Sequence, residues 1–179
     1  ESLISTLADY NKKNRSNPVP DSRAGGAERT PIRIGIGINS GTVIFGAIGF
    51  SSRLEFTALG DSVNIAARIE QLTTQLPATI LVSETVANAL GTSVSKRRLA
   101  SASVKGIEGK VTIFEIFSAD PEDVRAAKMN TLTDFTAAME YLDSNDYPKA
   151  EQALRSVLET TPLDLVARYY LDQINQQLA

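Results

Sequence analysis

The chain contains no cysteine, histidine or tryptophan. Without cysteine there are no disulfides, thiolate zinc sites or cysteine nucleophiles, a composition suited to a reducing compartment. Without histidine there is no Ser-His-Asp triad, no imidazole metal ligand and no imidazole base, so any chemistry falls to carboxylates, lysine, arginine and hydroxyls. No apolar run approaches the roughly 20 residues of a membrane-spanning helix, and no signal-peptide pattern opens the chain. Charge of one sign is also scarce: 18 Lys and Arg against 21 Asp and Glu leave a net charge of −3, so no basic surface argues for a nucleic-acid partner. What remains is an ordinary globular composition, 42% hydrophobic and 22% charged over 179 residues. That is enough for one good core, or one core plus an appendage.

The most informative stretch is Arg53 to Arg68, RLEFTALGDSVNIAAR. Leu54, Phe56 and Ala58 alternate with Glu55 and Thr57, the period of a strand, and Gly60-Asp61-Ser62 supplies a turn and a helix N-cap. On the helix that follows, Asn64 and Arg68 are four residues apart and project from one side, one turn above the other. A guanidinium fork suits a phosphate, and an amide beside it can donate to and accept from a sugar hydroxyl. Thr57 is close enough in sequence to meet the same ligand. Taken alone, Asn-x-x-x-Arg is also the pattern of many solvated helix faces.

The remainder reads as mixed α and β. Glu1 to Lys13 has helical apolar spacing without a cap or an initiator Met, and is expected to be a helix entered from upstream in a partial polypeptide. Asn14 to Pro31 is a proline- and glycine-rich loop. Ile32 to Asn39 and Thr42 to Ile48, parted by Ser40-Gly41, predict a tight hairpin of two largely buried strands. Gly35, Gly37 and Gly41 miss the spacing of a dinucleotide fingerprint and precede no helix, and there is no Walker A sequence. Ala78 to Val82 predicts a buried strand, and Ser83 a cap for a helix reaching Leu90; Val94 to Ala100 and Lys110 to Phe117 predict further strands. Lys105, between Val104 and Gly106, reads by itself as a surface lysine.

From Pro121 onward strand signals disappear. Three helical segments are predicted, Pro121 to Leu142, Tyr147 to Glu159 and Leu163 to Leu178. Tyr141, Tyr147, Ala150, Val157, Leu158 and Pro162 fall at the spacing of a tetratricopeptide repeat, with Asn145 in place of the usual turn glycine. The tail is expected to dock on the preceding domain or to begin a longer array.

Gly35-Ile-Gly-Ile-Asn-Ser-Gly41, Gly46-Ala-Ile-Gly49, Phe56-Thr-Ala-Leu-Gly-Asp-Ser-Val-Asn-Ile-Ala-Ala-Arg-Ile-Glu70 and Val104-Lys-Gly106 together resemble the second half of a class III nucleotidyl cyclase catalytic domain. The resemblance implies an α+β fold: a ferredoxin-like cyclase domain over residues 1–118, lacking its N-terminal portion, plus a small all-α extension over 119–179. It implies a bacterial-type adenylate cyclase, converting ATP to 3′,5′-cyclic AMP and pyrophosphate in a homodimer whose active sites are shared between protomers. By that resemblance Asn64 fixes the ribose, Arg68 stabilises charge on the α-phosphate and Lys105 holds the leaving pyrophosphate. Thr57 stands at the base-selecting position, with Ala58 beside it, and a hydroxyl there favours ATP over GTP. Two Mg²⁺ or Mn²⁺ ions are implied, but neither metal-binding aspartate motif occurs in these residues. The ligands are therefore expected upstream and this chain alone is expected to be inactive. Asp61 belongs to a different family motif and is not expected to bind metal. The expected location is cytoplasmic, joined to a membrane or sensor module upstream. The alternative is a non-catalytic module that keeps nucleotide binding or dimerisation while its helical tail recruits a partner.

Overall fold

The computed structural model describes residues 3–15, 31–50, 53–99, 101–103 and 110–178, and it divides into two units, Glu1–Ile34 and Gly35–Ala179. The first unit holds helix α1 (Leu3–Arg15), where apolar spacing predicts one. Asn11 closes this unit on itself: its side-chain amide donates to the carbonyl of Ile32 at 2.8 Å and accepts from the Ile32 N–H at 2.9 Å. Most of the predicted Asn14 to Pro31 loop lies outside the described residues.

The second unit runs β1 (Ile36–Ile38), β2 (Ile44–Phe50), β3 (Arg53–Leu59), α2 (Asp61–Leu72), β4 (Ile80–Ser83), α3 (Glu84–Ala89), β5 (Lys96–Arg98), β6 (Ala102–Ser103), β7 (Lys110–Val111), β8 (Ile113–Ile116), α4 (Glu122–Asn130), α5 (Leu132–Asp143), α6 (Tyr147–Thr160) and α7 (Leu165–Leu178). Its main sheet has the order β1-β4-β8-β5. The first pair is parallel, Ile36 opposite Ile80, and the others are antiparallel. A parallel neighbour requires a crossover connection; here β2, β3 and α2 supply it.

That topology corrects the predicted hairpin between Ile32–Asn39 and Thr42–Ile48. The strand at Ile36–Ile38 pairs with Ile80–Val82 instead, and β2 pairs with β3 from Ile44–Leu59 to Phe50–Arg53. Ser40-Gly41 is a turn signal, but it carries no information on which strand lies beside which. The seven-residue match of β2 with β3 and the distant β4 decide the pairing. Nor is β2 largely buried: Ile44 and Phe45 are 74% and 71% exposed, and Leu54 and Phe56 on β3 are 62% and 76% exposed.

The core lies on the other elements. Ile69 of α2, Leu81 of β4 and Ile113 of β8 belong to one buried cluster with Phe135 of α5, Leu154 of α6 and Ile174 of α7. Each such side chain contributes about 1.5–3 kcal/mol on burial, so the helical tail and the sheet stabilise each other. The tail's first segment is two helices rather than one, broken at Thr131, whose backbone leaves helical angles (φ −101°, ψ 8°) while its hydroxyl donates back to the Ala127 carbonyl. Asn145 adopts the left-handed conformation expected of it, φ 59°, between α5 and α6. Ser83 sits at the N-cap of α3 as predicted. Its hydroxyl makes no capping bond, however, and is buried without a partner among the described residues.

Candidate active site

The ribbon of β2 and β3 delivers the chain to α2 through Gly60, which has φ 148°, a conformation that costs a side-chain-bearing residue strain. The Gly60 carbonyl accepts from the Val63 and Asn64 amides at 3.0 and 3.3 Å and so opens the helix. The start of α2 is held from outside as well, since the Asn39 side-chain amide donates to the Ser62 carbonyl at 3.1 Å.

Close packing against β1 fixes the rest of α2. A methyl group added at Gly37 would lie 2.2 Å from the Glu70 amide nitrogen and 2.5 Å from the Ala66 carbonyl oxygen. Glycine at this position lets helix and strand backbones touch. The glycine spacing that misses a dinucleotide fingerprint therefore serves packing, and through packing it sets the height of the helix that carries Asn64 and Arg68.

With Ala66, Ile69 and Glu70 facing the strand or the core, Asn64 and Arg68 fall on the other side of the helix. Asn64 is exposed and Arg68 half-buried. Among the described residues neither side chain has a hydrogen-bond or ion-pair partner. Thr57 and Ala58 lie on β3 opposite Gly46 and Phe45 of β2, both half-buried. Successive strand side chains alternate, so Thr57 and Ala58 face opposite sides of the ribbon, and Ala58 can share a ligand with Thr57 only through its main chain. Lys105 lies outside the described residues. Of the five candidate residues, the structure thus sets Thr57 and Ala58 on the strand leading directly into the helix of Asn64 and Arg68. Among the described residues no group of three or more acidic side chains is gathered that could hold a metal ion.

A second polar cluster escaped the sequence reading. Arg97 of β5, fully buried, donates from Nε to Glu115 at 2.6 Å and from its two Nη atoms to both oxygens of Asp164 at 2.5 and 2.8 Å. Its guanidinium also lies 3.8 Å from the centre of the Phe135 ring. Lys128 of α4 bridges Glu115 and Asp120 at 2.8 and 2.6 Å. Burial works against charge on Arg97, but the hydrogen bond to Asp164 and the charges of Glu115 and Asp164 outweigh it, so its pKa is raised. Burial likewise opposes ionisation of Asp164; the Arg97 hydrogen bonds and charge prevail and hold it below the ordinary 3.8. Lys128 is raised above 10.5 against the same burial, first by the charge of Glu115. The signal available was strand alternation: Glu115 shares an inward face with Ile113 and Phe117, and a carboxylate there requires a cation.

The match to the family model for the adenylate and guanylate cyclase catalytic domain spans residues 4–118, and the chain belongs to that family. It is 33% identical over 150 residues to the terminal-differentiation-specific adenylate cyclase of Dictyostelium discoideum, covering 82% of this chain and 7% of that protein. It is 44% identical over 88 residues to an adenylate cyclase of Anabaena cylindrica (48% of this chain, 18% of that one). Adenylate cyclase 1 of Rhizobium meliloti (strain 1021) is 31% identical over 132 residues, covering 74% of this chain and 17% of that protein. The chain thus spans less than a fifth of each of these relatives. Residues 4–118 make up less than two thirds of the chain, so the 82% matched in the Dictyostelium protein extends beyond them. Among solved structures, the guanylyl cyclase Cya2 aligns with a TM-score of 0.48 at 26% identity over 67% of this chain and 55% of that one. A bacterial light-regulated adenylyl cyclase aligns at 0.41 and 33% identity over 46% of this chain and 23% of that one.

Proposed function

We propose that this chain supplies one half of the active site of an adenylate cyclase that closes ATP into 3′,5′-cyclic AMP and releases pyrophosphate. The observation that carries this reading is the pairing of Asn64 and Arg68, the latter without a partner among the described residues, on one face of a helix whose seat against β1 is fixed at Gly37, within a chain of the cyclase family. In the reaction the ribose 3′-oxygen loses its proton and attacks the α-phosphorus, and the bond from that phosphorus to the bridging oxygen of pyrophosphate breaks.

The roles proposed for this chain's residues follow their chemistry. The Thr57 hydroxyl accepts from the adenine amino group, with the Ala58 main chain beside it, which selects ATP. Asn64 orients the ribose through its amide. Arg68 stabilises the charge that builds on the α-phosphate oxygens, and Lys105 holds the pyrophosphate as it leaves. Two divalent ions would supply the remaining phosphate neutralisation, held by carboxylates that this reading places outside residues 1–179. The complete site forms between two copies, and the exposed apolar surface of β2 and β3, with Phe45 and Phe56 rings 6.1 Å apart, supports such an association. The proposed architecture is a ferredoxin-like cyclase domain, residues 1–118, with a tetratricopeptide-like extension, 119–179. The left-handed Asn145 between α5 and α6 supports the latter. The proposed location is cytoplasmic.

The test is cyclic AMP formation from ATP, with GTP as control, by the longer polypeptide that includes the metal-binding half, comparing the parent with Arg68→Ala. A fall in kcat of about 10² with a much smaller change in nucleotide affinity is expected, because the interaction is strongest in the transition state. A parent protein that binds ATP and forms no cyclic nucleotide would instead support the non-catalytic module.

A further inference from the structure

Three residues on one face of a strand meet α2 at three heights. Successive strand residues alternate between faces, so Gly35, Gly37 and Asn39, on β1 and at its two ends, share a side. A methyl group added at Gly35 would overlap the side chain of Thr73, which caps the end of α2, and one added at Gly37 would overlap helix backbone at Ala66 and Glu70. Asn39, half-buried, donates from Nδ2 to the Ser62 carbonyl at 3.1 Å. Strand and helix therefore run in opposite directions, with close backbone contact towards the end of α2 and a hydrogen bond at its start.

The two kinds of contact constrain the helix differently. Contact at a glycine sets how near the helix approaches, but packing is not directional and leaves the helix able to turn or slide. A hydrogen bond has a preferred distance and angle, and it resists both movements. In the helix ladder the Ser62 carbonyl is the acceptor for the amide four residues on. A carbonyl has two lone pairs, and Asn39 addresses the second.

The corner after β1 closes over the same turn. A methyl group added at Gly41 would overlap the Ser62 hydroxyl, and one added at Gly60 would lie 3.1 Å from the Thr42 carbonyl oxygen. The pairing of Ile44 with Leu59 imposes this adjacency, because it brings the start of β2 beside the end of β3. Residues 39–42 thus hold residues 60–62, immediately ahead of Asn64. Arg68 lies further along α2, past the contact of Gly37 with Ala66.

We propose that Asn39 is a positioning residue for the nucleotide site: its hydrogen bond to Ser62 fixes the first turn of α2, and with it the place where the Asn64 amide meets the ribose. This rests on the role proposed above for Asn64. Asn39 acts through the helix backbone, so its loss misplaces the ribose hydroxyl for attack more than it weakens the hold on ATP.

The experiment is a double-mutant cycle in the longer polypeptide that includes the metal-binding half, with Asn39→Ala, Asn64→Ala and the double variant, measuring kcat and KM for ATP. Asn39→Asp is included because it keeps the shape of asparagine and its carboxylate cannot donate; it carries the test should Asn39→Ala fold poorly. Hydrogen exchange of residues 62–68 is followed alongside. Asn39→Ala and Asn39→Asp are each expected to lower kcat about threefold to tenfold, the size of one hydrogen bond, with faster exchange at the start of α2. KM should change by less than about twofold. In the Asn64→Ala background the loss from either Asn39 variant should shrink to under about twofold. Losses that multiply in full, a rise in KM as large as the fall in kcat, or faster exchange with unaltered kcat overturn the proposal while leaving the cyclase reading intact. If Asn64→Ala itself leaves turnover unchanged, the role of Asn64 falls and the proposal with it.

Discussion

Gly37 lies directly beneath Glu70: the space that a side-chain methyl would fill at Gly37 is within 2.2 Å of the Glu70 amide nitrogen. Because the obstructing atoms are helix backbone, no rotamer change can make room. Gly37→Ala must push α2 away from β1, at a cost of about 1–3 kcal/mol for overpacking, and must move Asn64 and Arg68 with it. The expected outcome is a lowered Tm together with a kcat loss larger than the stability change explains. Gly46→Ala in β2, where among the described residues no atom beyond its chain neighbours lies within 4 Å of the added methyl, is the matched control and should leave the helix in place. Thermal melts and cyclase assays of the two variants separate these outcomes.

A second prediction concerns the buried cluster. Asp164 takes both Nη atoms of Arg97 and also accepts from the Ala167 N–H at 3.1 Å, capping α7. Asp164→Ala strands a buried guanidinium and uncaps a helix. Removing one partner of such a pair costs about 3–5 kcal/mol, enough to threaten a domain of ordinary stability. Arg97→Lys should not substitute, since an ammonium cannot reproduce the forked contact. Urea unfolding of both variants measures this; a loss below about 1 kcal/mol for Asp164→Ala would mean the cluster is solvated in solution.

The pH dependence follows from the same groups. Asp164 has a native pKa below its ordinary 3.8, so the stability it contributes is present above 3.8 and is lost as pH falls through the native value. Lys128 is raised above 10.5, so its contribution is present below 10.5 and lost as pH rises through the native value. Stability should therefore be flat with respect to these groups from about pH 5 to 9. In urea titrations at stepped pH, the gap between the parent and Asp164→Asn should narrow only below 3.8.

The parts of this molecule that could be read from sequence are those whose cause is local. Alternation at Leu54, Phe56 and Ala58, the glycine at residue 60 and the four-residue step from Asn64 to Arg68 all act within one strand–helix unit, and the structure has them as read. The same holds for Asn145, whose backbone angle follows from its own side chain. Pairing across distance could not be read this way. The partner of Ile36–Ile38 lies more than forty residues away at Ile80–Val82, and the Ser40-Gly41 turn signal favoured a nearer, wrong one. Arg97 meets Asp164 across 67 residues, and nothing near either residue announces the other. The break at Thr131 does have a local signal, the weak helix formers Asn130, Thr133 and Asp134 around it, but the apolar helical spacing runs on through it.

Whether this chain carries one half of a shared site is decided by complementation. The bare chain is mixed with the full cyclase polypeptide bearing Asn64→Ala and Arg68→Ala, and cyclic AMP formed from ATP with Mn²⁺ is measured alongside a pull-down that reports mixed dimers. Neither component alone is expected to turn over ATP appreciably, whereas the mixture should recover activity in proportion to the mixed dimer. Mixed dimers that form and stay silent, or cyclic AMP from the bare chain alone, would contradict it.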